Sequence, residues 1–176
     1  MNSDTKKILV IRSASRIFEK TLKALKDEFP NSKIDVLVPE SAENSIRENP
    51  FIHKIILLKT KGRLRVLNLG IKGIKEIRLK KYDLSVVLYN IDHGMGYSNV
   101  DVIAATIGAK ECRGYNVTGK FELLTKGNVI KKFLKEKSKF LLIIINFFFV
   151  GVLFFVVTLS LILECVIRNL KVIKRT

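Results

Sequence analysis

The sequence predicts an α/β fold: a Rossmann-like open, mostly parallel sheet flanked by helices, followed by one C-terminal transmembrane helix. Three observations predict it. Short runs rich in Ile, Val and Leu alternate with stretches of helical apolar spacing over residues 7–115. Residues 140–163, FLLIIINFFFVGVLFFVVTLSLIL, carry no charge and are interrupted only by Asn146, Gly151, Thr158 and Ser160. Of 32 Lys and Arg residues set against 16 Asp and Glu, many crowd the two flanks of that span.

Taken in order, residues 7–12 (KILVIR) form a short Ile/Val run of the kind buried in a parallel sheet, and residues 13–16 turn the chain. Phe18, Leu22, Leu25 and Phe29 recur at helical spacing until Pro30 and Asn31 stop a helix over 17–29. Residues 33–38 (KIDVLV) are the second strand, 39–49 a short helix ending before Pro50, and 54–58 the third strand. Leu64, Leu67, Ile71, Ile74 and Ile77 then mark the inner face of a helix, with Arg65, Lys72 and Lys75 on its other side. Residues 83–89 (DLSVVLY) make a fourth strand, 100–107 a helix and 111–115 a fifth strand. Strand and helix alternating at these lengths imply right-handed βαβ units.

At about 1.5 Å per residue, the uncharged run makes a helix of roughly 36 Å, enough for a hydrocarbon core of about 30 Å. The chain therefore divides into a domain over 1–126, a basic juxtamembrane segment over 127–139, the span over 140–163 and a basic tail over 164–176 too short to fold. The run after the N-terminal lysines ends at Arg12, so it lacks the apolar core of a secretory signal. The domain is accordingly expected in the cytoplasm, on a single-pass inner-membrane anchor. A re-entrant hairpin bent near 146–151 is the alternative, because both flanks are basic.

The charge suits an anionic membrane lipid surface, at about 1 kcal/mol for each lysine near it. Lys131, Lys132, Lys135 and Lys139 beside the span, and Arg65, Lys72 and Lys75 on the basic helix, are the candidate contacts, with a solvated charged face on a helix that covers the sheet as the favoured alternative for the last three. No nucleic-acid partner is expected, since no recognised module or aromatic-studded basic strand is present. In open α/β sheets ligands bind beyond the carboxyl ends of the strands. The loop after the fourth strand supplies Asn90, Asp92, His93, Gly94 and Gly96 there, and the turn after the first supplies Ser13, Ser15 and Arg16. Asp92 and His93 are the ionisable candidates for catalysis there, His93 as a base or a phosphate ligand, while His53 needs no function. The first turn has no glycine, so it is neither a dinucleotide fingerprint nor a P-loop. The two cysteines make no metal spacing: Cys112 reads as a buried strand residue and Cys165 as an apolar position at the membrane edge. No metal and no cofactor are expected.

The ordered set KILVIRSAS, TLKALKDEFPNSKIDVLVPE, ENPFIHKIILL, KKYDLSVVLYN and GAKECRGYN resembles the N-terminal domain of the family 9 glycosyltransferases, the heptosyltransferases of lipopolysaccharide core synthesis. The resemblance implies one half of a two-domain GT-B enzyme, the half that binds the lipid-linked sugar acceptor. The family's Gly-Asp pair after the first strand, whose carboxylate is taken as the general base, is replaced here by Ser15, Arg16, Ile17 and Phe18, leaving Glu19 as a displaced candidate. The donor half is expected on a separate glycosyltransferase subunit. Two readings follow: the acceptor-binding half of a split enzyme of lipopolysaccharide or envelope-glycan synthesis, not active alone, or a non-catalytic scaffold or regulator of envelope-polysaccharide assembly.

Overall fold

The computed structural model describes residues 5–60 and 64–173, without the side chains of 67, 139–141, 165, 166 and 168–173. Six strands form one sheet: β1 (Lys7–Ile11), β2 (Lys33–Pro39), β3 (Ile52–Leu58), β4 (Leu84–Leu88), β5 (Glu111–Tyr115) and β6 (Phe121–Leu123). Their order is β3-β2-β1-β4-β5-β6, and all pairs are parallel except β5 with β6. The helices are α1 (Phe18–Glu28), α2 (Val66–Leu79), α3 (Ser98–Ile107) and α4 (Lys126–Ile173).

Period-two alternation on the strands sorts the core into two layers. Ile8, Val10, Ile34, Val36 and Val86 face α1, whose Phe18, Leu22 and Leu25 cover them. Leu9, Ile11, Leu37 and Val87 face the opposite way, against Ile77 of α2 and Ile103 and Ile107 of α3. The chain runs outward from β1 through β2 to β3, then returns to place β4 on β1's other side. That reversal makes the carboxyl ends of β1 and β4 the topological switch point.

Three expectations differ from what is observed, and one further strand appears. Residues 39–49 form only a 3-10 turn at Glu40–Ala42 and further turns. The segment is too polar to bury a helical face: Ile46 alone is buried, and the Ser45 hydroxyl donates to the Ala42 carbonyl. In α2 the inner face is Leu69, Gly73 and Ile77, while Ile71 is 76% exposed. Leu64 precedes the helix, and Gly70, at φ 62° and ψ 172°, resets its phase. After Tyr115 the chain turns back, and β6 pairs antiparallel with β5. Asn116 shapes the turn by accepting from the Thr118 and Lys120 amides. Helix α4 continues past the uncharged run to Ile173, so the tail is helical where it is described.

The chain forms two compact units, residues 1–136 and 137–176. In the second, the helix is unbroken through 146–151, which removes the re-entrant hairpin. By length and composition it is long and apolar enough to cross a membrane. Its large residues are exposed, Phe147 by 82% and Phe154 by 73%.

Candidate functional site

A cleft of about 420 Å³ lies at the switch point, lined by Arg12, Ser13, Pro39, Leu64, Gly96, Tyr97, Asn99 and Val100. Each comes from a strand end, the approach to α2 or the start of α3, as the topology requires. The Ser13 hydroxyl is not free for a ligand: it donates to the Leu88 carbonyl at 2.5 Å and accepts the Leu88 amide at 3.3 Å, fastening the ends of β1 and β4 together. Ser13→Ala should therefore cost about 1–2 kcal/mol in urea unfolding, by leaving a backbone carbonyl in the sheet without its partner. An unchanged midpoint would refute that role. Tyr97 stands against Tyr89, with ring centroids 5.3 Å apart, and its hydroxyl accepts the Asn90 amide at 3.2 Å.

Beneath the loop lies a polar hub. Tyr89, the residue after β4, donates its hydroxyl to Asp101 of α3 at 2.6 Å, and Lys132 of α4 pairs with the other carboxylate oxygen while standing over the Tyr89 ring. Asp101 is wholly buried. Burial pushes its carboxyl above the ordinary range, against Lys132 and Tyr89, which pull it down. Burial, and then the Asp101 charge, hold the Tyr89 hydroxyl protonated well above the ordinary tyrosine range. Glu136, one turn further along α4, accepts the Gly96 amide at 2.8 Å and the Ser98 hydroxyl, so the start of α4 fixes both the loop and the head of α3.

Of the residues expected to bind substrate, only Ser13 and Gly96 line the cleft. Ser15 and Arg16 are exposed beside it. Asn90 is exposed, and its amide is spent on Tyr97. Asp92 lines a separate cavity of about 90 Å³ with Asn116 and Lys120, and His93 a third one facing Lys131 and Lys135. Neither lines the switch-point cleft. Gly94 is buried at φ 59°, where a Cβ would meet the Tyr89 ring at 2.9 Å; it is a packing glycine. Glu19 is exposed and accepts from the Asn49 side chain at 2.6 Å, outside the cleft lining.

Among the candidate lipid contacts, Arg65, Lys72, Lys75, Lys131 and Lys135 are exposed. Lys132 is not a surface cation but the half-buried partner of the buried Asp101, because α4 turns that position inward. The Lys139 side chain lies outside the described residues. Cys112 lies in β5 against Ser85, and burial pushes its thiol up, away from reactivity.

Sequence reasoning passed over Arg12, Tyr97 and Asn99 in the cleft and the Asp101–Lys132 pair below it. The available signals were a charge directly after an apolar strand and an acid inside the apolar helix VDVIAATI. A second buried acid, Asp35 in β2, accepts from Tyr82 at 2.6 Å and contacts His53 at 3.0 Å. It sits toward the amino ends of the strands, far from the cleft, and it accounts for His53.

No protein-family model matches the chain, and no curated protein matches its sequence. Among solved structures it is similar to a family 9 glycosyl transferase from Veillonella parvula DSM 2008, at 24% identity and TM-score 0.51, covering 66% of this chain and 33% of that one. It is also similar to the E. coli ADP-heptose lps heptosyltransferase II, at 22% identity and TM-score 0.47, over 62% of this chain and 30% of the other. The chain thus spans about a third of the length of these structures. The likeness is one of fold: the α/β domain is built like part of a family 9 glycosyltransferase.

Proposed function

We propose that this chain is the acceptor-binding half of a split glycosyltransferase, carried on a single membrane-spanning helix with its α/β domain at the cytoplasmic face. The observation that carries the reading is the switch-point cleft, in a domain with the fold of one third of a family 9 glycosyltransferase. The acceptor is a lipid-linked sugar of envelope-glycan synthesis, and the donor sugar nucleotide is held by a separate subunit. The chemistry of the cleft favours a partner: among the described residues its lining contains no carboxylate and no histidine. A general base must lie within hydrogen-bond reach of the hydroxyl it deprotonates, and neither Glu19, Asp92 nor His93 lines this cleft.

The surface of α2 supports a lipid neighbour. Ile71 and Leu79, 76% and 78% exposed, flank Lys75 at i, i+4, i+8 spacing, an apolar and basic stripe suited to an anionic headgroup layer.

The test is to purify the tagged full-length chain in mild detergent, alone and with whatever co-purifies, and assay sugar transfer with lipid acceptors and nucleotide sugars. Transfer is expected only when a donor-binding subunit is present. Asn99→Leu should lower it by about tenfold or more, by removing a hydrogen-bonding group from the cleft, whereas Asp92→Ala should not. The baseless cleft also favours a second reading, a non-catalytic scaffold of envelope-polysaccharide assembly. Recovery of assembly proteins with no transfer under any pairing would select it and end the split-enzyme proposal.

A further inference from the structure

The uncharged part of α4 carries three polar side chains, Asn146, Thr158 and Ser160. Their hydrogen bonding differs. Thr158 donates its hydroxyl to the Phe154 carbonyl, one turn back, at 2.8 Å, so its own helix satisfies it. Among the described residues neither Asn146 nor Ser160 makes a side-chain hydrogen bond, and both are exposed. Asn146 lies six residues into the run, about 9 Å along the helix, too deep for a side chain with one methylene to reach water. An amide without a partner at that depth is costly, because nothing in hydrocarbon replaces its hydrogen bonds to water.

The two unsatisfied groups share one face. Asn146, Val150, Leu153, Val157 and Ser160 recur at alternating steps of four and three residues, which keeps them within about 40° of Asn146 around the helix axis. Thr158 lies about 120° from it. Phe147, Phe148, Phe154 and Phe155 lie about 80° or more from it, so the face has no ring at its centre and a second backbone can approach along it.

We propose that this face is an interface with the same face of a second copy of the chain, in a parallel pair of spans joined from Asn146 to Asn146. A carboxamide both donates and accepts. A two-fold axis along the pair puts identical residues at identical depth, so each Asn146 donates an N–H to the carbonyl of the other. A different occupant would need a matching polar group at that depth, whereas a second copy brings one by symmetry. Ser160, two heptads further along, is set opposite itself in the same way. The inference rests on the membrane-spanning helix of the reading above and goes beyond it: the anchor pairs the chain as well as holding it.

The experiment uses the full-length chain, labelled at its amino terminus with a donor or an acceptor fluorophore and reconstituted in phosphatidylcholine vesicles. Energy transfer should persist as lipid dilutes the protein beyond random proximity, and should fall when unlabelled chain competes. Asn146→Leu should weaken the pairing by about three- to thirtyfold, the range for a polar contact between spans. Val157→Phe, which puts a ring at the centre of the face, should weaken it at least as much, while Thr158→Val should change it by less than about twofold. No transfer above random proximity, equal pairing in Asn146→Leu, or an equal loss in Thr158→Val would overturn the inference. Alkaline carbonate washing of the same vesicles separates the two readings. A chain that stays with the lipid yet does not pair ends the inference alone; a chain that washes off ends the span and the inference with it.

Discussion

Lys132→Met is expected to destabilise the domain by about 3–5 kcal/mol, far more than loss of a surface lysine, which is worth about 0–1 kcal/mol. The reason is the partner. Asp101 has no exposed surface, and the Lys132 side chain is itself only 17% exposed. With Lys132 gone, Asp101 keeps one hydrogen bond, from Tyr89, and no counter-charge. Urea unfolding of the full-length chain in mild detergent, followed by tyrosine fluorescence because the sequence has no tryptophan, measures the loss. Adding Asp101→Asn should restore most of it, since the amide oxygen still accepts from Tyr89 and no buried charge remains. The pH dependence has a definite sign. Burial already raises the Asp101 carboxyl above its ordinary value of 3.8, and removing Lys132 removes a downward pull. The folded variant then binds more protons than the unfolded chain between the ordinary pKa and the raised one, so its stability falls as pH rises through that window. The deficit should therefore be least below about pH 4 and complete at neutral pH. A loss below 1 kcal/mol at neutral pH would mean that the pair is not buried as described.

Gly114→Ala is expected to be almost as damaging, at about 1–3 kcal/mol or somewhat more, although the glycine's φ needs no special freedom. A Cβ on this residue of β5 would overlap the Tyr89 hydroxyl oxygen and lie 2.5 Å from Cε2 and 2.7 Å from Cζ. The ring has nowhere to retreat. Its hydroxyl is tied to Asp101, Lys132 stands 4.7 Å over its centroid, and a Cβ at Gly94 would already come within 2.9 Å of it. Two glycines therefore clear the space in which Tyr89 lies. Gly127→Ala, at a site in α4 with nothing within 4 Å of the added carbon, is the control, and it should gain up to about 1 kcal/mol from helix propensity. If both substitutions behave alike, the close approach of Tyr89 to β5 is wrong.

The two variants probe one construction, the hub of Tyr89, Asp101 and Lys132 that fixes the loop after β4 and with it one wall of the cleft. The sequence places Tyr89 and Asp101 in their elements but does not show that they meet, and it places Lys132 at the surface. Lys132 looked like a lipid contact because four lysines and a span surround it; only the packing of α4 against α3 turns that one inward. Gly94 looked like a ligand-binding glycine because it lies in a polar loop beyond a strand, yet the loop folds it under Tyr89. Asp92 and His93 were grouped by adjacency. Successive residues in a loop have no fixed direction relative to one another, and these two enter different cavities.

What the sequence determined by itself is the architecture. Strands β1 to β5, helices α1 and α3 and the apolar helix are legible because burial imposes periods of two and 3.6 and long uncharged runs, which are properties of neighbours along the chain. That a ligand belongs beyond the carboxyl ends of the strands is a general expectation for such sheets, but the strand order that puts the reversal between β1 and β4 is seen only in the fold. Only the tertiary structure decided which side chains enter that crevice and which charges are buried. Ser13 spent on Leu88 and Lys132 paired with Asp101 are contacts between residues 75 and 31 positions apart, and Arg12 reaches the cleft only through the packing of the sheet's ends. Their geometry is set by how helices lie on a sheet, and no local pattern encodes it.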